Sequence, residues 1–95
     1  MKFKDWLNEN FDSVNHYVSD AEMLRQAIIE ELDAINIYKA MAEKATNADV
    51  KKVLLHVAGE EKHHIGEFEF LLKRLDPEYQ GNKLEGEEEA KEETT

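Results

Sequence analysis

The sequence predicts an all-α protein: an antiparallel hairpin of two long helices that dimerises into a four-helix bundle. Three observations carry this expectation. Two stretches carry seams in alternating steps of four and three, apolar at Leu24, Ile28, Ile35, Tyr38, Ala42 and Ala45 and at Val50, Leu54, Val57, Phe68, Leu71 and Leu75, with polar residues at positions 31, 61 and 64 completing the repeat. That repeat belongs to helices packed along their length. A single short break, Thr46-Asn47-Ala48-Asp49, separates the two stretches, so the second helix must return along the first. Finally, a chain of 95 residues buries only roughly 60–65% of its unfolded surface, a marginal core that a second copy would complete.

Taken in order, residues 1–18 place Phe3, Trp6, Leu7, Phe11, Val14 and Val18 at helical spacing, which predicts an amphipathic N-terminal helix. A cap on the hairpin's core is the favoured role; a membrane-surface or partner-docking helix is the competing one, weakened by the lack of a basic face. The hairpin domain is expected over 19–77. Its helix A, about 20–45, opens with the capping box Ser19-Asp20-Ala21-Glu22, in which the serine side chain takes an orphan amide. Helix B, about 48–75, opens after Thr46 and Asp49, a weaker version of the same pattern. It ends at Asp76-Pro77, because a residue before proline is pushed out of the helical region. The last segment, 78–95, is expected to be an acidic flexible tail or linker. Residues 76–95 hold eight acidic and two basic side chains, the only proline, and Leu84 as the one aliphatic residue beyond an alanine. Such a stretch lacks the apolar surface to offset its ordering entropy.

Composition excludes several functions. The net charge of −10, from 22 acidic and 12 basic residues, argues against a nucleic-acid binder. The absence of cysteine removes disulfides and thiolate-held metals. No apolar run approaches the roughly 20 residues that cross a bilayer, and no signal-peptide pattern opens the chain. A soluble, cytoplasmic protein without membrane or nucleic-acid partners is expected.

The chemistry lies in the polar residues that interrupt the apolar seams: Glu31 in the first, Glu61 and His64 in the second. A carboxylate placed among apolar layers costs several kcal/mol unless a cation accompanies it, and no lysine or arginine shares either seam. Glu61 and His64 have the Glu-x-x-His spacing that brings a carboxylate and an imidazole to one metal from one helix. The overlapping pair Glu60/His63 is rotated about 100° away from the apolar line, as Glu30 is relative to Glu31. Periodicity therefore selects Glu31, Glu61 and His64. A di-metal carboxylate bundle needs a Glu from each of two helices and a Glu-x-x-His from each of two more. One chain supplies half of this, and a two-fold dimer supplies all of it, its four carboxylates balancing two divalent cations.

The segments AIIEELDAINIYKAMA and VLLHVAGEEKHHIGEFEFLLKRLDP closely resemble the encapsulated ferritins, the two-helix branch of the ferritin-like superfamily, over roughly 20–78. The resemblance implies an obligate homodimer with a ferroxidase centre at its interface, two iron ions per dimer, assembly into a decameric ring, and residence inside an encapsulin shell. Glu31, Glu61 and His64 take the ligand positions and Tyr38 a tyrosine position beside the centre. The tryptophan that often precedes that tyrosine in the family is Ile37 here. Metal-access acids correspond to Glu30 and Asp33, and a peripheral metal site corresponds to His56, Glu60 and His63, with manganese or calcium as candidates at such secondary positions. No shell-targeting peptide is evident in the acidic segment.

The expected activity is oxidation of Fe(II) by O₂ at the inter-subunit centre, for iron storage or detoxification within an encapsulin nanocompartment. Two alternatives compete: a rubrerythrin-like peroxide-scavenging di-iron protein, and a non-enzymatic metal-binding or structural bundle.

Overall fold

The computed structural model describes Asp5 and residues 19–95, so the amphipathic helix expected over 1–18 lies, apart from Asp5, outside the described residues. Three helices follow one another: α1 (Asp20–Lys44), α2 (Ala48–Leu75) and α3 (Pro77–Thr94). Helix α1 starts where the Ser19 hydroxyl accepts the Glu22 amide at 3.2 Å. It stops at Ala45, which turns to an extended conformation while its amide still reaches the Met41 carbonyl at 2.9 Å. Helix α2 is capped by Asn47, whose side-chain oxygen accepts the amides of Asp49 and Val50 at 2.9 and 3.0 Å. The capping residue is therefore one position beyond Thr46, the expected one; both residue types cap well, and the chain geometry selects asparagine.

The two long helices run antiparallel. Glu31 meets His64 near their middles, and Arg25 in the second turn of α1 reaches Asp76, just past the end of α2, at 3.4 Å. On α1 the expected seam holds: Ala42 is buried, and Leu24, Ile28, Glu31, Ile35, Tyr38 and Ala45 are half-buried. On α2 the seam differs from expectation. Ala58 and Leu72 are buried, and Leu54, Glu61, Ile65 and Phe68 are half-buried, whereas Val50, His64, Leu71 and Leu75 of the expected line are exposed. Helix α2 carries two apolar stripes that share Leu54, Glu61 and Phe68. One, through Ala58, Ile65 and Leu72, packs on α1. The other, through Val57, His64 and Leu71, sits one residue earlier at each layer, about 100° round the helix; Val57 is half-buried, and His64 and Leu71 are exposed.

Burial is correspondingly thin. Among the described residues the buried hydrophobic side chains are Ala42, Ala58 and Leu72, and Leu72 contributes about 2 kcal/mol by its transfer from water. Met23, Val53, Leu71 and Leu75 are 44–58% exposed. Met23, Leu24, Ala27, Leu71 and Leu75 line an apolar groove at the chain-end half of the hairpin. A hairpin that leaves such a face uncovered has not finished its core.

The segment expected as an acidic flexible tail or linker is helical. Asp76 leaves the helical region at φ −135° and ψ 80°, its Oδ1 accepts the Tyr79 amide at 3.2 Å, and Pro77 occupies the first helical position, where its missing N–H costs nothing. Tyr79 and Gln80 are half-buried and Lys83 pairs with Glu69 of α2 at 3.4 Å. From Gly81 onward every residue is exposed. The expectation weighed apolar burial alone. Local terms suffice for a helix here: a cap, a proline start, good helix formers in Glu, Lys and Ala, and a Glu88–Lys91 pair at 3.2 Å.

Two changes test these assignments in opposite directions. A Cβ added at Gly66 meets nothing within 4 Å, so Gly66→Ala is expected to raise stability by about 0.5–1 kcal/mol. Asn47→Ala removes the cap of α2 and is expected to lower it by about 1 kcal/mol. Urea unfolding followed by far-UV circular dichroism measures both.

Candidate metal centre

Three side chains meet where the middle of α1 faces the middle of α2. Glu31 projects from the α1 seam; Glu61 and His64 lie one turn apart on α2. His64 Nδ1 stands 3.3 Å from Glu31 Oε2 and 3.3 Å from Glu61 Oε2. One ligand atom from each residue falls within 4.8 Å of the others. The carboxylates are the sheltered members, with side chains 21% and 15% exposed, and the imidazole, at 47%, forms the rim. Among the described residues this is the one group of three or more His, Asp or Glu whose ligand atoms converge in this way, and every member had been singled out by spacing.

No lysine or arginine forms an ion pair with Glu31 or Glu61 among the described residues. Two carboxylates therefore share a single imidazole nitrogen, which can donate at most one proton. Two oxygens and one nitrogen converging with negative charge in excess are the donors that suit iron, manganese or zinc, so the residues fit a divalent metal. The group also lies on the open stripe of α2, through His64, and so faces outward from the hairpin.

The other expected site residues are placed differently. Tyr38 is half-buried on the α1 seam, two turns or about 10 Å from Glu31, and the structure does not bring it into the cluster. Glu30 is half-buried and Asp33 exposed, on a flank rotated away from the cluster. Burial, and then the neighbouring charge of Asp33, hold the Glu30 carboxyl above its ordinary range. The expected trio His56, Glu60 and His63 does not assemble. His56 Nε2 and Glu60 Oε1 pair at 2.8 Å, while His63 joins no three-member group. The trio shares a face but spans two turns, about 10 Å along the axis, and Glu60 turns toward His56.

Comparison with known proteins agrees with this architecture. A family model described as rubrerythrin matches residues 22–95. The chain is 55% identical over 71 residues to a ferritin-like–encapsulin shell fusion protein of Pyrococcus furiosus, covering 75% of this chain and 21% of that protein. It is 47% identical over 58 residues to the encapsulin nanocompartment cargo protein EncC of Myxococcus xanthus, covering 61% of this chain and 45% of that one. The chain thus spans less than half the length of these curated relatives. A crystal structure of the encapsulated ferritin domain from Pyrococcus furiosus matches with a TM-score of 0.74 at 54% identity, over 76% of this chain and 74% of that chain.

Fold and cluster together define a ferritin-like helical hairpin carrying a carboxylate–histidine group. The chain belongs to the rubrerythrin family of ferritin-like proteins, among the encapsulated ferritins.

The raised Glu30 carboxyl gives a pH test. Its ionised form is disfavoured in the folded state, so its favourable contribution is complete below the unfolded-state pKa and is lost as pH rises through the folded one. In metal-free protein Glu30→Gln is expected to be more stable than the parent at pH 7 and equal to it near pH 3. Thermal melts at the two pH values read the difference.

Proposed function

We propose that this protein is a ferroxidase in which two subunits together hold two Fe(II) ions for oxidation by O₂. The observation that carries the reading is the convergence of Glu31, Glu61 and His64 on an uncovered apolar face without a basic partner. Membership of a family of di-iron oxidoreductases supports the metal and the reaction class.

On this reading each subunit contributes two carboxylates and one imidazole, and a two-fold related copy brings the same three groups to the same place. Glu31 and Glu61 supply negative charge that draws Fe(II) in and balances it. His64 binds through Nδ1, the nitrogen that faces both carboxylates, and so carries its proton on Nε2. Bound there, iron supplies the one-electron chemistry with O₂. The chain's own work is to position the donors and exclude water. Val57, Phe68 and Leu71 beside the cluster would be covered by the second subunit, and the carboxylates would lose the solvent that now reaches them. The exposed Asp33 and, where ionised, Glu30 lie within two residues of Glu31 on an adjoining flank of α1, where their negative charge would help to concentrate Fe(II).

The names of the relatives, an encapsulin shell fusion and an encapsulin cargo protein, support residence inside an encapsulin nanocompartment. A small open hairpin has no cavity for mineral, which suits oxidation here and storage in a surrounding shell.

Anaerobic loading with Fe(II) followed by exposure to O₂ tests the proposal. The parent is expected to bind two iron ions per dimer and consume O₂. Glu31→Ala and Glu61→Ala are expected to lose at least about tenfold in oxidation rate, since even outer partners of metal ligands are worth 10–100-fold. Unchanged iron stoichiometry and rate in Glu61→Ala would sink the assignment. Full iron occupancy in isolated monomers would remove the role of the second subunit, and peroxide consumption faster than O₂ consumption would replace the oxidase reading with a peroxidase one.

A further inference from the structure

The seam expected on α2 runs through Val50, Leu54, Val57, Glu61, His64, Phe68, Leu71 and Leu75, and the hairpin fully buries none of these residues. Val50, Leu71 and Leu75 are 50%, 45% and 54% exposed. The steps along the seam are four, three, four, three, four, three and four, an order that reads the same from either end. Such a seam can lie against a reversed copy of itself with every position matched. Its midpoint falls between Lys62 and His63, and Glu61 and His64 flank that midpoint.

We propose that α2 packs antiparallel on α2 of a second copy, about a two-fold axis at this midpoint. The proposal rests on the two-subunit reading above and adds the partner's direction and register. Glu61 then lies across from the partner's His64, and Val57 from the partner's Phe68. Leu54 lies across from the partner's Leu71, and Val50 from the partner's Leu75. Polar groups meet only in the central layer, and two of the three apolar layers set a valine against a larger side chain. A slide of one heptad destroys this match. It puts Glu61 across from the partner's Leu71 or Val57, and His64 across from the partner's Phe68 or Leu54, so that charged donors face apolar layers. A parallel pair would set carboxylate against carboxylate at Glu61, with the narrowest layer at Val50 and a wide one at Leu75. The shape of the hairpin favours the reversed partner too. The groove of Met23, Leu24, Ala27, Leu71 and Leu75 lies at the chain-end half, and the exposed Val50 and Val53 lie at the turn half. Reversal brings valines to the groove at both ends of the bundle.

The chain has no cysteine, so introduced thiols report the register. Leu54 and Leu71 stand about 25 Å apart along one helix, whereas a disulfide joins Cα atoms roughly 4.4–6.8 Å apart, so no bridge can form within α2. The double variant Leu54→Cys/Leu71→Cys, verified as helical by circular dichroism, is oxidised in air with Mn(II) present and read on non-reducing gels. Most chains are expected to become covalent dimers, and a refolded mixture of the two single variants is expected to give the same product. Either single variant alone is expected to remain unbridged. So is Val57→Cys/Leu75→Cys, a pair that only the one-heptad slide would align. Bridging by Leu71→Cys alone would overturn the proposal, as would equal bridging by Val57→Cys/Leu75→Cys or none in both the double variant and the mixture. In-register dimers whose parent fails to oxidise iron would leave this arrangement standing and remove the ferroxidase reading. Iron oxidation by a parent whose Leu71→Cys variant bridges to itself would remove the register and keep that reading.

Discussion

The structure depends on an unfinished electrostatic balance. Two carboxylates, set into the seam between two helices, approach the same imidazole nitrogen at 3.3 Å, and one nitrogen cannot satisfy both. An apolar layer at this level would have stabilised the hairpin more. The cluster sits at the edge of the seam, where water reaches His64 and, less freely, the two acids. Covering that edge without adding positive charge would be costly. Under the proposed function, metal and second subunit would be coupled: each would remove the penalty that the other leaves.

The two stripes of α2 express the same coupling in packing. Glu61 and Phe68 lie where the stripes overlap, so each contributes to the contact with α1 and to the open face at once. Ala58 and Leu72 commit to α1 and are buried; Val57, half-buried, lies between the two faces, and Leu71 is on the open side. A helix with apolar residues over so wide an arc is built for two neighbours, and the described hairpin supplies one. The marginal burial of three hydrophobic side chains follows from the same fact.

Much of this was legible in the sequence. The long helices follow from seam periodicity and a single break, and the cluster from the rule that polar residues inside a seam need a reason. What periodicity could not do was choose between adjacent stripes on α2. Val57 and Ala58, His64 and Ile65, and Leu71 and Leu72 all fit a four-three repeat, and only the partner helix decides which member is buried. The cap at Asn47 was missed for a similar reason, since Thr46 has equivalent chemistry. Helix α3 is not legible from apolar content, since its composition offers nothing to bury, and Asp76-Pro77-Glu78 reads equally as the end of α2 and as the start of a new helix. The trio on the outer face of α2 had the right spacing and failed on reach: three side chains over two turns need something to draw them together.

Asp76 divides its two oxygens between different tasks. Oδ1 starts α3 at Tyr79, and Oδ2 holds Arg25 of α1. The corner between α2 and α3 is thus linked to the opposite strut of the hairpin. The pair is half-exposed and contributes at most about 1 kcal/mol, and it ties this corner to the second turn of α1, roughly two turns short of Glu31. The exposed acidic arm therefore joins the hairpin at its end, well away along the axis from the ligand cluster.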